Sequence, residues 1–371
     1  LTFAAFVKFL YDIFVPNNTS VVRAFLSSLQ TTMAYIFYYS TVLSLIPYSL
    51  AFFDPVTIGW SAAALLGVWK ADFLKDQTYC RYRECCSERS IPADVEALRT
   101  KLVDLYGQHI LKQQLIPALA SHLRKGSGSR KPLVISFHGT PGTGKNMVAD
   151  MIANSIYAKG LRSQFVHKFM GRADFPSEEH SASYGYSLHY RVKKAIEICP
   201  RSLFIFDEVD KMPKGIFEAL TSIVDYKSFA NGVDFSQAIF IFLSNTAGVE
   251  ISTHLGNLLL KGILREHTKL GDFETILERA AYNLDGGLSK SSLIEAHVID
   301  HFIPFLPLEK SHIYQCLYAE FGRYNMHPDK EVLDEIVGNV VTYDPIHGVF
   351  AKSGCKKLDK KVAVVAYRSG R

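Results

Sequence analysis

Gly139-Thr140-Pro141-Gly142-Thr143-Gly144-Lys145-Asn146 follows the apolar run Leu133–Phe137 and leads into Met147-Val148-Ala149-Asp150-Met151-Ile152, a helical pattern. A strand, a glycine-rich loop and a helix in that order form the context of a phosphate-binding P-loop. Glycines let the main chain wrap closely, so that successive N–H groups and the helix N-terminus face phosphate oxygens. Lys145 would then bridge the β- and γ-phosphates of ATP. The last position departs from the usual pattern, because Asn146 stands where a serine or threonine hydroxyl normally meets Mg2+. A carboxamide oxygen can still ligate the ion or bond its water, so binding is expected to survive while metal affinity or turnover changes. The bland alternative, a glycine turn beside a chance lysine, is weakened by two motifs downstream.

The first is Leu203-Phe204-Ile205-Phe206-Asp207-Glu208, an apolar strand ending in two carboxylates about sixty residues after the loop. Alone it reads as a strand end with two solvated acids. Behind a P-loop it reads as Walker B, with Asp207 holding the Mg2+ shell and Glu208 polarising the attacking water. The second is Ile239-Phe240-Ile241-Phe242-Leu243-Ser244-Asn245, a buried strand ending in an amide. Asn245 would stand beside the γ-phosphate and the lytic water; the competing role is to cap the next segment.

Further out, the texture after Glu88 is that of an α/β protein. The runs Leu133–Phe137, Phe165–Phe169, Leu203–Phe206 and Ala238–Leu243 alternate with helical segments. All but the second are apolar on both faces, as central strands of a helix-covered parallel sheet should be. Phe165–Phe169 carries His167 and Lys168 and fits least well. The alternation predicts a doubly wound parallel sheet. Past Pro304-Phe305-Leu306-Pro307 strand signals thin out, which predicts a smaller helical subdomain over 304–371 behind a nucleotide-binding domain over 76–303.

The first fifty residues differ. Leu1 to Phe14 is mostly apolar, and a second apolar run from Met33 to Phe53 lies in a stretch with no charge between Arg23 and Asp54. With Met33 as a start, an apolar core and Ser49-Leu50-Ala51 make a signal peptide, so 1–51 reads as a leader region in which 1–32 is of doubtful translation. A membrane anchor is the alternative. The segment 52–75 contains Val56–Trp69, short for a bilayer span and carrying both tryptophans, Trp60 and Trp69. It suits a shallow contact with a membrane surface, or else a helix buried against the folded domain.

A formal charge of +5 spread along the chain, with only short basic clusters beside glycine and serine, argues against a nucleic-acid groove. Six cysteines (Cys80, Cys85, Cys86, Cys199, Cys316, Cys355) contain no C-x-x-C pair, and His297 with His301 lies far from them in sequence. A zinc site is therefore not expected. Behind a signal peptide, disulfides are permitted, with connectivity left open by the spacing.

Together these motifs resemble the torsin family, a branch of the Clp-like AAA+ ATPases, from about Asp54 to Lys356. The likeness is carried by the Gly-x-x-Gly-x-Gly-Lys-Asn loop, Leu105-Tyr106-Gly107-Gln108-His109, Ile205-Phe206-Asp207-Glu208-Val209-Asp210-Lys211-Met212 and Ala238 through Asn245. It continues through Val298-Ile299-Asp300, Pro304-Phe305-Leu306-Pro307-Leu308-Glu309 and Gly354-Cys355-Lys356. The resemblance implies an AAA+ fold, ATP and Mg2+ as ligands, and an oligomer of like or unlike subunits. It also implies protein or membrane remodelling in the endoplasmic reticulum lumen and nuclear envelope. Lys356 would contact the γ-phosphate from the small subdomain as sensor 2. Cys316 with Cys355 would form a redox-sensitive pair, and one of Cys80, Cys85 or Cys86 would pair with Cys199. Torsins hydrolyse ATP poorly alone, and a membrane-anchored luminal AAA-like activator supplies the missing arginine finger. Arg265 and Arg279 match no finger motif and read as surface residues. Two rival functions share the motifs: an ATP-gated scaffold or polymer with incidental turnover, and a cytosolic unfoldase with Tyr184-Gly185-Tyr186 in an aromatic pore loop.

Overall fold

The computed structural model describes residue 80 and residues 83–124, 129–225, 229–230 and 232–368. The expectations for the leader 1–51 and for the apolar segment 56–69 lie outside them. Residues 82–371 form one compact unit. At its centre is a parallel sheet of five strands, β1 (Leu133–Gly139), β2 (Val166–Met170), β3 (Leu203–Asp207), β4 (Ile239–Ser244) and β5 (His301–Phe305), in the order β2-β3-β4-β1-β5. Parallel neighbours cannot be joined by tight turns, so helices fill the crossovers and cover both faces.

The register explains why the strands are apolar throughout. His167, Phe204 and Phe240 lie side by side across β2, β3 and β4, as do Phe169, Phe206 and Phe242. Their rings stack in two rows at about 5 Å, with centroid distances of 5.0 and 4.9 Å in the first and 5.0 and 5.0 Å in the second. Each such pair contributes about 0.5–1.5 kcal/mol beyond the area it buries. This face packs on α3 (Ser181–Ile198) through Leu188, Val192 and Ile196, and on α4 (Gly248–Leu260) through Ile251 and Leu255. The opposite face, with Ile135, Ile205 and Ile241, packs on α1 (His109–Leu123) and α2 (Lys145–Ile156).

β5 carries Pro304 and was not anticipated as a strand. It lies at the sheet edge, paired only with β1, where a proline nitrogen removes no ladder bond. Its pairing with β1 runs to Phe305, and the chain leaves the sheet at Leu306-Pro307. Beyond the connection Leu306–Glu309, here called the hinge, α5 (Lys310–Gly322), α6 (Lys330–Val340) and α7 (Leu358–Arg368) close around Ile313, Leu317, Phe321, Leu333, Ile336 and Val362. This is the small helical subdomain predicted from sequence.

Two further outcomes concern particular side chains. Cys86 is the residue that bonds Cys199, and Cys316 bonds Cys355. Tyr184-Gly185-Tyr186 lies within α3 rather than in a loop: Gly185 is buried, and Tyr184 packs edge-on against Phe175 at 5.5 Å. Tyr186 points to solvent at 78% exposure.

Candidate nucleotide site

All the sequence-predicted residues of the large domain converge where β1, β3 and β4 end, because parallel strands bring their C-terminal ends to one side. β1 ends at Gly139 and α2 begins at Lys145, so Thr140 to Gly144 form the connecting loop. Gly142 and Gly144 adopt φ of 79° and 106°, which side chains disfavour, and a Cβ at Gly144 would come within 2.6 Å of Leu105 Cδ1. Pro141 is exposed at the crest. Thr143 fastens the loop by donating its hydroxyl to the Thr140 carbonyl at 2.8 Å, while the Thr140 hydroxyl oxygen is buried without a hydrogen-bond partner.

Lys145 is 7% exposed, and its Nζ donates to the carbonyls of Gly139 and Thr140 at 2.8 and 3.0 Å. Burial pushes its pKa down to about 8, against the pull of Asp210 and Asp207 and with a further push from Lys356. The ammonium is therefore held at the mouth of the loop with incomplete compensation, and an anion entering there would supply what is missing.

The acids stand opposite. Asp207 is 6% exposed; its Oδ2 accepts from Asn146 Nδ2 at 2.9 Å and its Oδ1 from the Glu208 N–H at 2.9 Å. The bond uses the amide nitrogen of Asn146, so its carboxamide oxygen is the atom that would serve as a ligand beside the Asp207 carboxylate. An all-oxygen set with few protein members fits Mg2+, which keeps phosphate and water for the rest of its octahedron. Glu208 has left-handed backbone at φ 55°, a strain of about 1–3 kcal/mol that persists only where surroundings enforce it. Gly171 permits the approach, since a Cβ there would lie 2.5 Å from the Glu208 carbonyl oxygen. The Glu208 carboxylate is half-exposed, with Arg172 Nε at 3.8 Å.

Asn245 follows β4 and is anchored to Asp210 Oδ1, which accepts its N–H at 3.0 Å and its Nδ2 at 3.4 Å. Beneath this turn lies a buried chain: Ser136 Oγ to His138 Nε2 at 2.7 Å, His138 Nδ1 to Thr246 Oγ1 at 3.1 Å, and Thr246 Oγ1 to Ser244 Oγ at 2.6 Å. Burial first, then the charge of Lys145, drives the His138 pKa down to about 3, so the ring is neutral. It joins the root of the P-loop to the turn that carries Asn245.

From the small subdomain, the turn Gly354-Cys355-Lys356 lies directly on the loop. The Cys355 N–H donates to the Gly142 carbonyl at 3.1 Å, and a Cβ on Gly142 would sit 3.1 Å from Lys356 Cβ. Lys356 itself is exposed.

Several residues here were not singled out for function. Lys168 on β2 brings Nζ to 3.7 Å from Asp207 Oδ2 and 3.9 Å from Asp150 Oδ1. Its signal was the very charge that made β2 a poor apolar run. Asp210 was visible only as the third acid of Asp207-Glu208-Val209-Asp210. Arg265 overturns the expectation of a surface residue: it is 4% exposed and bonded to the hinge, whereas Arg279 is exposed.

Residues 80–206 match the family model Torsin, and residues 308–364 match the model Torsin-1A, C-terminal domain. A Torsin-like protein of Drosophila melanogaster is 51% identical over 332 residues, spanning 88% of this chain and 96% of that protein. A Torsin-like protein of Caenorhabditis elegans is 38% identical over 309 residues, spanning 82% of this chain and 85% of that protein. Among solved structures, the S. cerevisiae Hsp104–ADP complex overlaps 75% of this chain and 48% of its own, at 16% identity and a TM-score of 0.49. By its identity to the fly and worm proteins over most of its length, the chain belongs to the torsin family of AAA+ ATPases.

Proposed function

We infer that the chain binds Mg-ATP in the loop 139–146 and hydrolyses it with Glu208, Asn245 and Lys356 around the γ-phosphate. One observation carries this: the buried ammonium of Lys145, the Asn146–Asp207 pair, Glu208 and Asn245 meet at one end of the sheet, and the Lys356 turn is bonded to the same loop. Membership of the AAA+ class implies nucleotide binding, and Mg2+ is its usual companion. Bound between Asn146, Asp207 and the phosphates, the ion would neutralise charge that develops on the phosphoryl oxygens. Glu208 would orient a water for in-line attack, Asn245 would hold that water, and Lys145 and Lys356 would steady the terminal phosphate from two sides. The neutral His138 chain would keep the Asn245 turn in register with the P-loop.

The setting we propose is that of torsins, which are associated with the endoplasmic reticulum: ATP-driven remodelling of proteins or membranes in its lumen and in the nuclear envelope, within an oligomer. Arg265 is committed to the hinge through three hydrogen bonds. It is thus not free to reach a neighbouring subunit's phosphate, which supports an activator that contributes the arginine in trans. The Cys316–Cys355 bond, whose second cysteine donates its N–H to the P-loop, supports redox sensitivity of nucleotide affinity.

Calorimetry with Mg-ATP and single-turnover hydrolysis with a luminal AAA-like activator test the proposal. Glu208→Gln is expected to keep binding, to slow hydrolysis by about a thousandfold, within the range for loss of a general base, and to trap the ATP-bound complex. Full activity of that variant in cells would point to the scaffold function instead.

A further inference from the structure

Three segments far apart in sequence meet beside Leu306. Gln108, the residue before α1, is 1% exposed. Its Nε2 donates to the Leu306 carbonyl at 2.9 Å and to the Thr143 carbonyl at 3.3 Å, and its Oε1 accepts the Leu306 N–H at 2.8 Å. Both ends of the amide are therefore committed. One partner lies within the P-loop; the other is the first residue past β5, where the chain leaves the sheet for the small subdomain.

Arg265 completes the joint from behind. Its Nη1 donates to the Pro307 carbonyl at 2.7 Å and to Glu309 Oε1 at 3.1 Å, and its Nη2 donates to the Gly107 carbonyl at 2.6 Å. Gly107-Gln108 and Leu306–Glu309 are thereby clamped to one another by a buried amide and a buried guanidinium. Glu309 in turn caps α5, with its N–H donated to His312 Nδ1 at 3.1 Å. The P-loop and the first turn of the small subdomain are thus joined through two side chains.

We propose that Gln108, held by Arg265, is a positioning residue that ties the P-loop at Thr143 to the hinge at Leu306–Glu309 and so sets where the small subdomain places Lys356 over the nucleotide. This rests on the nucleotide site described above and adds its coupling to the hinge. A tightly packed joint of this kind shifts between discrete arrangements rather than deforming continuously. Both ends of the Gln108 amide are bonded to Thr143 and Leu306, so it acts through these two residues. A purely structural staple would influence folding alone, whereas a positioning residue separates binding from turnover.

The test uses the full chain with its activator. Calorimetry with Mg-ATP gives affinity, single-turnover hydrolysis gives the chemical step, and hydrogen exchange of residues 306–322 with and without Mg-ATP reports the hinge. Gln108→Leu removes all three bonds; Gln108→Glu keeps the acceptor for the Leu306 N–H and loses the two donated bonds. The expected result for Gln108→Leu is Mg-ATP affinity within about threefold of the parent, hydrolysis slowed at least about tenfold, and loss of the nucleotide-dependent protection. Gln108→Glu should lie between. Should Gln108→Leu fail to fold, Gln108→Glu and Arg265→Lys take its place with the same split expected. Unchanged hydrolysis and protection, or a loss of affinity that matches the loss of turnover, overturns the proposal. Absence of heat from Mg-ATP with the parent chain removes the nucleotide site itself and this coupling with it, an outcome distinct from heat with the parent and an unaltered variant.

Discussion

Two lysines face the same loop, and they are held in opposite ways. Lys145 comes from the large domain, is 7% exposed, and is fixed by two carbonyls of the loop that precedes it. Lys356 comes from the small subdomain and is exposed; its position is inherited from a turn that is bonded to the loop through the Cys355 N–H and joined to α5 by the Cys316–Cys355 bond. The first is placed by local geometry, as the first residue of a helix behind a glycine loop. The second is placed by tertiary structure, through contacts that involve residues more than two hundred positions away. One site therefore combines a residue that should govern whether nucleotide binds with one that should govern what happens next.

The widest separation between the two is expected from Lys145→Ala. Removing a buried ammonium from a charged ligand costs about 3–5 kcal/mol, so Mg-ATP affinity should fall by two to four orders of magnitude by calorimetry. A variant that binds like the parent would sink the proposed site.

Next in size is the tether of the second lysine. The Cys316–Cys355 bond closes a loop of sequence separation 39, worth about 3–4 kcal/mol in the chain-entropy account. Cys316→Ser with Cys355→Ser should lower the denaturant midpoint accordingly and weaken Mg-ATP binding severalfold, because the Gly142 contact loses its anchor. If stability falls while affinity is untouched, the turn 354–356 does not report on the P-loop.

Lys356→Ala should show the contrast directly. An exposed cation reaching over a phosphate is screened by water, so affinity is expected to change by about twofold to threefold. Turnover should drop by about tenfold, since the charge matters most where negative charge develops. Equal losses in both measurements would make the two lysines equivalent and remove the distinction.

The same division governs what could be read from the sequence. The strand–loop–helix of β1 and α2, the acids after β3 and the amide after β4 were legible because each is a local pattern: an apolar run followed at once by its polar residue. The aromatic rows were legible as composition but not as rows, because register is not in the pattern. β5 was missed because Pro304 argues against a strand until its place at an edge is known. Arg265 and Gln108 were misjudged or passed over for one reason. A polar residue in a soluble-looking stretch gives no sign of burial when its partners, such as Leu306 for Gln108, lie 198 residues away. Lys168 is the intermediate case, its charge noted as a defect in a strand although that charge sits beside Asp207 and Asp150.

The smallest effect sharpens the comparison through pH. Burial sets the Lys145 pKa to about 8, below its ordinary 10.5. A bound polyphosphate favours the ammonium and raises that value, so its contribution to affinity is complete below about pH 8. It is lost as pH rises from there through the bound-state pKa. Mg-ATP affinity should therefore fall about fivefold between pH 7 and pH 9. Folding of the nucleotide-free chain has the opposite sign. Between about 8 and 10.5 the unfolded chain binds the extra proton, so this residue makes the folded state relatively more stable as pH rises. Calorimetric titrations at the two pH values, with denaturation of the parent against Lys145→Met across the same interval, isolate the two slopes. Slopes of the same sign would mean that the ammonium is not the group that senses the phosphate, and Lys356 would then have to carry the recognition that its exposure makes weak.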